Sequence, residues 1–402
     1  MRCLVWAASG YLHGTLRVLL TGTEYSGGLA ALRALSGAGH EPWAAVTSAR
    51  AYGAHSRAAA GTVRVPDPRD DATGFAAAVA MGAARAGARV VLPGTEGGLI
   101  ALAAHRDAFS DGVAVGASAP AVTAAATDKV STLAEAGELG IQVLSARVLG
   151  VNGPADTAAV RYPVVVKPLR SEVPVDGRLR RYQSKRADDR EQLTVALARL
   201  PDGVGIVQAY AEGRLLTVNG VAWEGEVVAE VHAEGLRTWP TGCGAVTYAQ
   251  TIPRDGDLSE RARALMARVG WSGVFNLEFI DADSGLYLIE ANPRLYTSLG
   301  LSVAAGVNLP AIWVDALLGR KPQVGAYEVG VRFRAEDDLR SLAHQFRSGD
   351  RLEALFGLLP QRNTAHGVVS LSDPWPGLAF LRRLPGRALA PRGGVIARSL
   401  PG

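Results

Sequence analysis

An α/β fold that begins with an open parallel sheet is predicted by three features of the chain. Apolar runs ending in glycine alternate with helical stretches: "RVLLTG" (17–22), "SGGLAALRALSGAG" and "EPWAAVTS" read as strand, helix and strand. The pattern returns in "ARVVLPGTEGGLIALAAHRDAF" (88–109) as strand, Gly-containing turn and helix. Such alternation indicates βαβ units and a parallel sheet. The length, 402 residues, exceeds what one core supports, so two or three domains are expected.

The elements follow in order. The first turn, "TGTEYSGG", suits an anion at a helix N-terminus, but it does not match the G-x-G-x-x-G of a dinucleotide site. "TAAATDKVSTLAEAGELGIQV" (123–143) reads as one helix running into a Gly-marked turn. "YPVVVKP" (162–168) is a buried strand carrying Lys167 near its end. The stretch 169–185 is crowded with Arg and Lys, including Arg170, Arg178, Arg180 and Arg181, and reads as a mobile loop. "DDREQLTVALARL" is a helix and "GIVQAY" (205–210) a strand. "LLTVNGVAWEGEVVAEVHAEG" turns at Glu224-Gly225 as a hairpin, and "DLSERARALMARVGW" is a helix. Beyond Pro322 the pattern becomes mixed, and the last thirty or so residues are rich in Pro, Arg and Gly.

Composition excludes several classes. Hydrophobic residues make up 48% and charged residues 20%, which is globular. The net charge of +4 is small, and no basic run interleaves with aromatics, so no nucleic-acid partner is expected. Two cysteines, Cys3 and Cys243, make neither a disulfide framework nor a zinc pattern, which fits a reducing cytoplasm. Gly, His and Arg17 interrupt the first twenty residues, so no signal peptide is read there. No run of about 18 apolar residues exists, so no membrane span is expected.

The chemistry concentrates in "GVFNLEFIDADSGLYLIEANPR" (273–294), two strands around a five-residue turn, Asp281 to Gly285. Alternation puts Phe275, Leu277 and Phe279 on one face, matched by Tyr287, Ile289 and Ala291. The other face carries Asn276, Glu278, Leu288, Glu290, Asn292 and Arg294. Pairing Ile280 with Leu286 would set Asn276 opposite Glu290 and make the two glutamates diagonal neighbours. Two carboxylates that close need positive charge between them. A hard cation prefers carboxylate and amide oxygens, which Glu278, Glu290 and Asn292 supply. A plain solvent-facing strand pair is the alternative for these residues taken alone.

Four signals stand in order along the chain: Asp128-Lys129 opening a helix, Lys167 on a strand ahead of the basic stretch, "VQAYAEG" (207–213) and the carboxylate hairpin with "EANPR" (290–294). Their order and spacing resemble the ATP-grasp superfamily, particularly its carboxylate–amine ligases, over roughly residues 17 to 322. The resemblance implies an N-terminal domain over 1–123, a two-lobed ATP-grasp module over 124–322 with a lid lobe near 130–210, and a C-terminal extension over 323–402. It implies ATP and Mg²⁺ (or Mn²⁺), with Lys129 and Lys167 on the phosphates and the backbone of Gln208, Ala209 and Tyr210 along the adenine edge. Glu212 is the matching candidate for the ribose. Glu278, Glu290 and Asn292 match the metal ligands, and Arg294 is placed to steady the transferring phosphoryl group or the acyl phosphate. In "EGLRTWPTGCGAVTYAQTI" (234–252), Arg237 is the candidate for the substrate carboxylate or the acyl phosphate, while Gly242 and Gly244 let backbone approach the substrate. Cys243 between them has no base placed to activate it and reads as a small loop residue. Arg332 is a further candidate to reach the substrate.

One departure from the pattern stands out. Many family members have a Gly-rich stretch where this chain has Gly177 and several arginines. The implied reaction phosphorylates a substrate carboxylate and lets an amine displace phosphate, with small acids and amines, amino acids among them, as partners. A thiol, hydroxyl or bicarbonate acceptor, or a nucleotide-binding module without chemistry, are the rival classes. The segment 323–402 either completes the pocket or forms a subunit interface in a homodimer.

Overall fold

A computed structural model describes residues 14–382, apart from 152, 154–158, 170–171, 176–177, 183 and 360. The predicted parallel sheet is present. It comprises β1 (Arg17–Leu20), β2 (Glu41–Val46), β3 (Gly61–Arg64), β4 (Val90–Leu92) and β5 (Ala114–Val115) in the order β3-β2-β1-β4-β5. All its pairings are parallel. Helices α1 (Ser26–Gly37), α2 (Ala72–Ala86) and α3 (Glu96–Ala104) cross between the strands. Val18, Leu19 and Leu20 are fully buried, as a central strand covered on both faces requires.

The helix expected over 123–143 is broken. It forms α4 (Pro120–Thr127) and α5 (Lys129–Glu138). The break lies at Asp128, whose extended backbone lets its carboxylate accept from the Val130 and Ser131 amides. An N-cap aspartate ends one helix and starts the next. It also fixes Lys129 at the first position of α5.

A four-stranded sheet follows, of order β10-β7-β11-β6. Its strands are β6 (Ala146–Gly150), β7 (Val164–Lys167), β10 (Lys185–Ala187) and β11 (Val204–Ala209). Between β7 and β10 the chain forms a two-stranded ladder, β8 (Glu172–Val175) with β9 (Arg178–Arg181), where a loop was expected. Arg170 and Gly177 lie outside the described residues. Helix α6 (Arg190–Ala198) closes the small sheet over its own core of Leu149, Val164, Val166, Leu193 and Leu197. α5 packs on the large sheet described next, so the helix expected in the lid lobe belongs to the other side of the cleft.

The large sheet has seven strands in the order β16-β15-β12-β13-β14-β17-β18. They are β12 (Arg214–Trp223), β13 (Glu226–Trp239), β14 (Ala245–Thr251), β15 (Gly273–Ala282), β16 (Gly285–Asn292), β17 (Arg332–Arg334) and β18 (Thr364–His366). β12 and β13 turn at Glu224-Gly225, both at positive φ, as the hairpin reading expects. The C-terminal stretch therefore adds two strands to this sheet, with Arg332 paired to Gln250. The remaining helices are α7 (Gly256–Val269), α8 (Leu299–Ala304), α9 (Leu309–Leu317), α10 (Asp338–Ser348), α11 (Arg351–Leu358) and α12 (Trp375–Leu381). One apolar core joins Val18, Leu20 and Leu32 of the first domain to Val221, Val231, Val274 and Trp313. The parallel and seven-stranded sheets thus share a core that the small sheet does not enter. No described helix is long and apolar enough to cross a membrane.

Candidate active site

A cleft of about 930 Å³ lies between the small sheet and the seven-stranded sheet. Its floor is the β15–β16 hairpin, and here the register differs from the expectation. Ala282 pairs with Gly285, Ile280 with Tyr287 and Phe279 with Leu288; then a bulge lets Glu290 sit directly opposite Glu278, and Asn292 opposite Asn276. The extra residue is Ile289. A bulge reverses the alternation, so Leu288 joins Phe279 in the core at 0% exposure, instead of facing the cleft. Simple period-two counting could not see this. The glutamates are direct rather than diagonal neighbours, with β-carbons about 5 Å apart.

Two lysines answer this pair. Lys129 Nζ lies 2.8 Å from Glu290 Oε1. Lys167, 5% exposed, donates from Nζ to the Ile289 carbonyl at 2.8 Å, an oxygen of the bulge residue. Burial pushes the Lys167 ammonium down, against the pull of Glu290. Burial would also raise Glu290, but Lys129 and Lys167 outweigh it and hold that carboxyl well down, at about 2. Glu278 goes the other way: burial, and then the charge of Glu290 opposite, push it up to about 7. One carboxylate is firmly ionised and its neighbour titrates near neutrality.

Asn292 belongs to a ladder of amides across three strands. Its Nδ2 donates to Asn276 Oδ1 at 3.1 Å, and Asn276 Nδ2 donates to Asn219 Oδ1 at 2.9 Å. Asn219 Nδ2 then reaches Thr217 Oγ1 at 3.0 Å. Arg294 Nη2 donates to Asn292 Oδ1 at 3.1 Å, so the guanidinium stands beside the glutamates in the cleft. Asn219 was missed in the sequence, although its even spacing from Thr217 on a strand is the signal that places it on the cleft face.

Other expected residues separate. Gln208, Ala209 and Tyr210 line the cleft. The Ala209 and Tyr210 amides, however, are already bonded to the Ser145 and Pro163 carbonyls at 2.8 and 3.1 Å. They cannot also donate to a base. The Gln208 side chain is buried, and its Nε2 has no partner among the described residues. Arg186 covers the Tyr210 ring at 4.3 Å. Glu212 is exposed and is not among the residues lining the cleft. Arg237 lines the cleft, but its Nε and Nη2 bind Asp338 at 2.8 and 2.6 Å, so its fork is occupied by a carboxylate of the protein. Arg332 turns to Gln250 at 3.2 Å and does not line the cleft. The C-terminal stretch reaches the cleft instead through Ser341, His344 and Gln345 of α10, with His344 edge-on to Trp239 at 6.0 Å.

Gly242, Cys243 and Gly244 shape the rim. Burial raises the Cys243 thiol, consistent with a non-nucleophilic role. A β-carbon at Gly244 would lie 2.0 Å from the Trp239 carbonyl carbon and 2.1 Å from Pro240 N. Backbone atoms cannot yield, so Gly244→Ala is expected to displace this rim and cost about 1–3 kcal/mol, readable by denaturant unfolding. An unchanged unfolding midpoint would show that the rim tolerates a side chain.

Comparison with known proteins agrees with this geometry. Residues 204–339 match a family model described as ATP-grasp in the biosynthetic pathway with Ter operon. A carbamoyl phosphate synthase large chain from Gemmatimonas aurantiaca is 25% identical over 315 residues, 75% of this chain. This chain spans 28% of the length of that relative. Among solved structures, N5-carboxyaminoimidazole synthetase from Staphylococcus aureus, complexed with ADP, superposes with a TM-score of 0.62 at 13% identity, covering 83% of this chain and 86% of that one. Biotin carboxylase from Campylobacter jejuni gives 0.59 at 14% identity, covering 79% and 74%. L-amino acid ligase from Bacillus licheniformis gives 0.56 at 13% identity, covering 76% and 75%. The matched segment contains the whole glutamate hairpin, so residues 204–339 resemble an ATP-grasp family, and the chain shares the fold of these solved structures over both sides of the cleft.

Proposed function

We propose that this protein uses Mg²⁺–ATP to activate a small carboxylic acid as an acyl phosphate, which an amine then converts to an amide. The observation that carries the reading is the pairing of Glu278 and Glu290 across one strand pair, with Lys129, Lys167 and Arg294 around them. The donor set fits a hard divalent cation, since two adjacent carboxylates and an amide are oxygen ligands that need positive charge near them. Glu278, Glu290 and Asn292 would hold it. When bound, such an ion neutralises charge on the phosphates as the γ-phosphoryl group moves.

The chain's own groups serve the rest. Lys129 and Lys167 attract the triphosphate, and Arg294 stands where negative charge builds on the transferring group. In the first step a carboxylate oxygen bonds to the γ-phosphorus as the bond to the β-bridging oxygen breaks, releasing ADP. In the second, the amine nitrogen bonds to the acyl carbon, the C–O bond breaks and phosphate leaves with its electron pair. The amine's proton passes to solvent or buffer. The separate core of the small sheet lets it close on the cleft and shield the acyl phosphate from water.

Hydroxylamine as a general amine gives the test. With pooled amino acids and small acids, ADP release that depends on Mg²⁺ and on the acid, together with hydroxamate, is expected. The fold likeness to carboxylating enzymes favours one second reading, bicarbonate as the activated acid. ADP release driven by bicarbonate alone, with no hydroxamate, would select that reading.

The titration of Glu278 adds a pH prediction. Its carboxyl is raised from 4.5 to about 7, so the folded state binds more protons than the unfolded state between these values. Its contribution to stability is therefore present below about pH 4.5 and is lost as the pH rises through about 7. Cation binding needs the ionised form, so the Mg²⁺ concentration for half-maximal turnover should be roughly tenfold higher at pH 6 than at pH 8. A flat Mg²⁺ requirement across that range would remove Glu278 from the ligand set.

A further inference from the structure

A second cavity, of about 500 Å³, opens at the other end of β13. Glu230 lies there, seven residues before the cleft residue Arg237, which is about 23 Å along a strand. Apolar side chains, among them Val227, Ala229, Val324 and Val329, form its walls. Val324 and Val329 are 43% and 50% exposed, which is high for valines in a folded domain.

The polar end is organised around Glu230, whose side chain is 7% exposed. Its Oε1 accepts from Ser259 Oγ at 2.7 Å and from Arg254 Nε at 2.5 Å, and Arg263 Nη2 lies 3.4 Å away. Burial would raise this carboxyl, but the nearby His232 ring, 3.9 Å away, and hydrogen bonds from Ser259 and Arg254 hold it at about 2. It is therefore ionised at any working pH. Arg254 and Arg263 remain 55% and 47% exposed. The described residues engage only Nε of Arg254 and Nη2 of Arg263, leaving further N–H donors of both for a ligand. One carboxylate and two guanidiniums leave the lining one positive charge in excess.

We propose that this cavity binds a small organic monocarboxylate with an aliphatic body, its carboxylate on Arg254 and Arg263 and its body against the valines. A single negative charge neutralises the lining, and guanidinium forks match a carboxylate's geometry. The apolar walls select against inorganic anions, which would leave them wet. An amine is disfavoured because the two outward groups are cations. Glu230 acts as the fixed anchor that orients both arginines, and does not touch the ligand.

Isothermal titration of the full chain with 4-methylpentanoate tests this. Saturable binding at one site is expected. It should weaken about tenfold or more in the double variant Arg254→Gln/Arg263→Gln, and in Val329→Trp, which fills the cavity without touching the charges. The uncharged 4-methylpentan-1-ol should give no saturable heat. All three replaced side chains are half-exposed, and circular dichroism checks that the variants keep the fold. No saturable heat with the wild-type chain overturns the proposal. So does binding that survives both variants, because the ligand then occupies the main cleft.

Discussion

Replacing Glu290 with alanine should lower Mg²⁺-dependent ADP formation by on the order of a thousandfold, the scale expected when several kcal/mol of charge stabilisation is removed. Glu290 is the firmly ionised member of the pair and the partner of Lys129. On the proposed function its loss takes away a cation ligand, and it leaves Lys129 and Lys167 without the carboxylate that faces them. On the same reading those lysines would still attract phosphate, so binding of ADP to the variant should fall far less than turnover. This split is the informative measurement. A wild-type chain without Mg²⁺-dependent turnover, whose Glu290→Ala variant only binds nucleotide more weakly, would point to a nucleotide-binding module, not a catalyst. A variant with near-normal turnover would rule out the ligase site as drawn.

Asp338→Asn should be among the most destabilising polar substitutions in the chain. Asp338 is fully buried and accepts both donors of the Arg237 fork. Thr247 Oγ1 donates to it at 3.2 Å, and Arg334 Nε lies 3.3 Å from its Oδ2. Both guanidiniums also cover Tyr248, at 4.1 and 5.2 Å. Removing one charge strands two cations against a buried ring. Breaking a buried pair this way costs about 3–5 kcal/mol, which corresponds to an apparent melting shift of about 4–6 °C for a chain of this size. Scanning fluorimetry reads it directly. A shift within a degree or two would mean that solvent reaches this cluster and that Asp338 does not anchor it. Because Asp338 lies on α10, the same substitution should also loosen the wall formed by Ser341 and His344.

How much of this was legible in advance depends on the range of the interactions involved. The parallel sheet was readable from β1, β2 and β4, short apolar runs of which β1 and β4 lead into glycine, a local signal, whereas the edge strands β3 and β5 carry no such run and were not read. That the glutamates, Asn292 and the two lysines meet in one cleft was readable from their residue types and their order along the chain. Asp128-Lys129 was rightly read as opening a helix, but the stretch 123–143 was still taken as one helix because helical periodicity does not report the cap that divides it. Arg237 and Arg332 were candidates on charge alone. Asp338, 101 residues beyond Arg237, decides what Arg237 does, and Gln250 decides the same for Arg332. The backbone of Gln208 to Tyr210 was offered to a base, but Ser145 and Pro163, brought there by folding, already accept from the Ala209 and Tyr210 amides, which leaves that role to carbonyl oxygens.

The sequence by itself determined the class of fold, the run of strands that carries the site, and the acidic and basic residues that meet there. Side-chain period and residue chemistry are local properties, and a single chain displays them. Only the tertiary structure decided that Glu278 and Glu290 stand directly opposite each other, that Ile289 presents its carbonyl to Lys167, and that Glu290 is held ionised while Glu278 titrates near neutral pH. Each depends on a one-residue bulge or on charges brought together from distant segments. Register and electrostatic balance are properties of pairs, and the pairs exist only once the chain has folded.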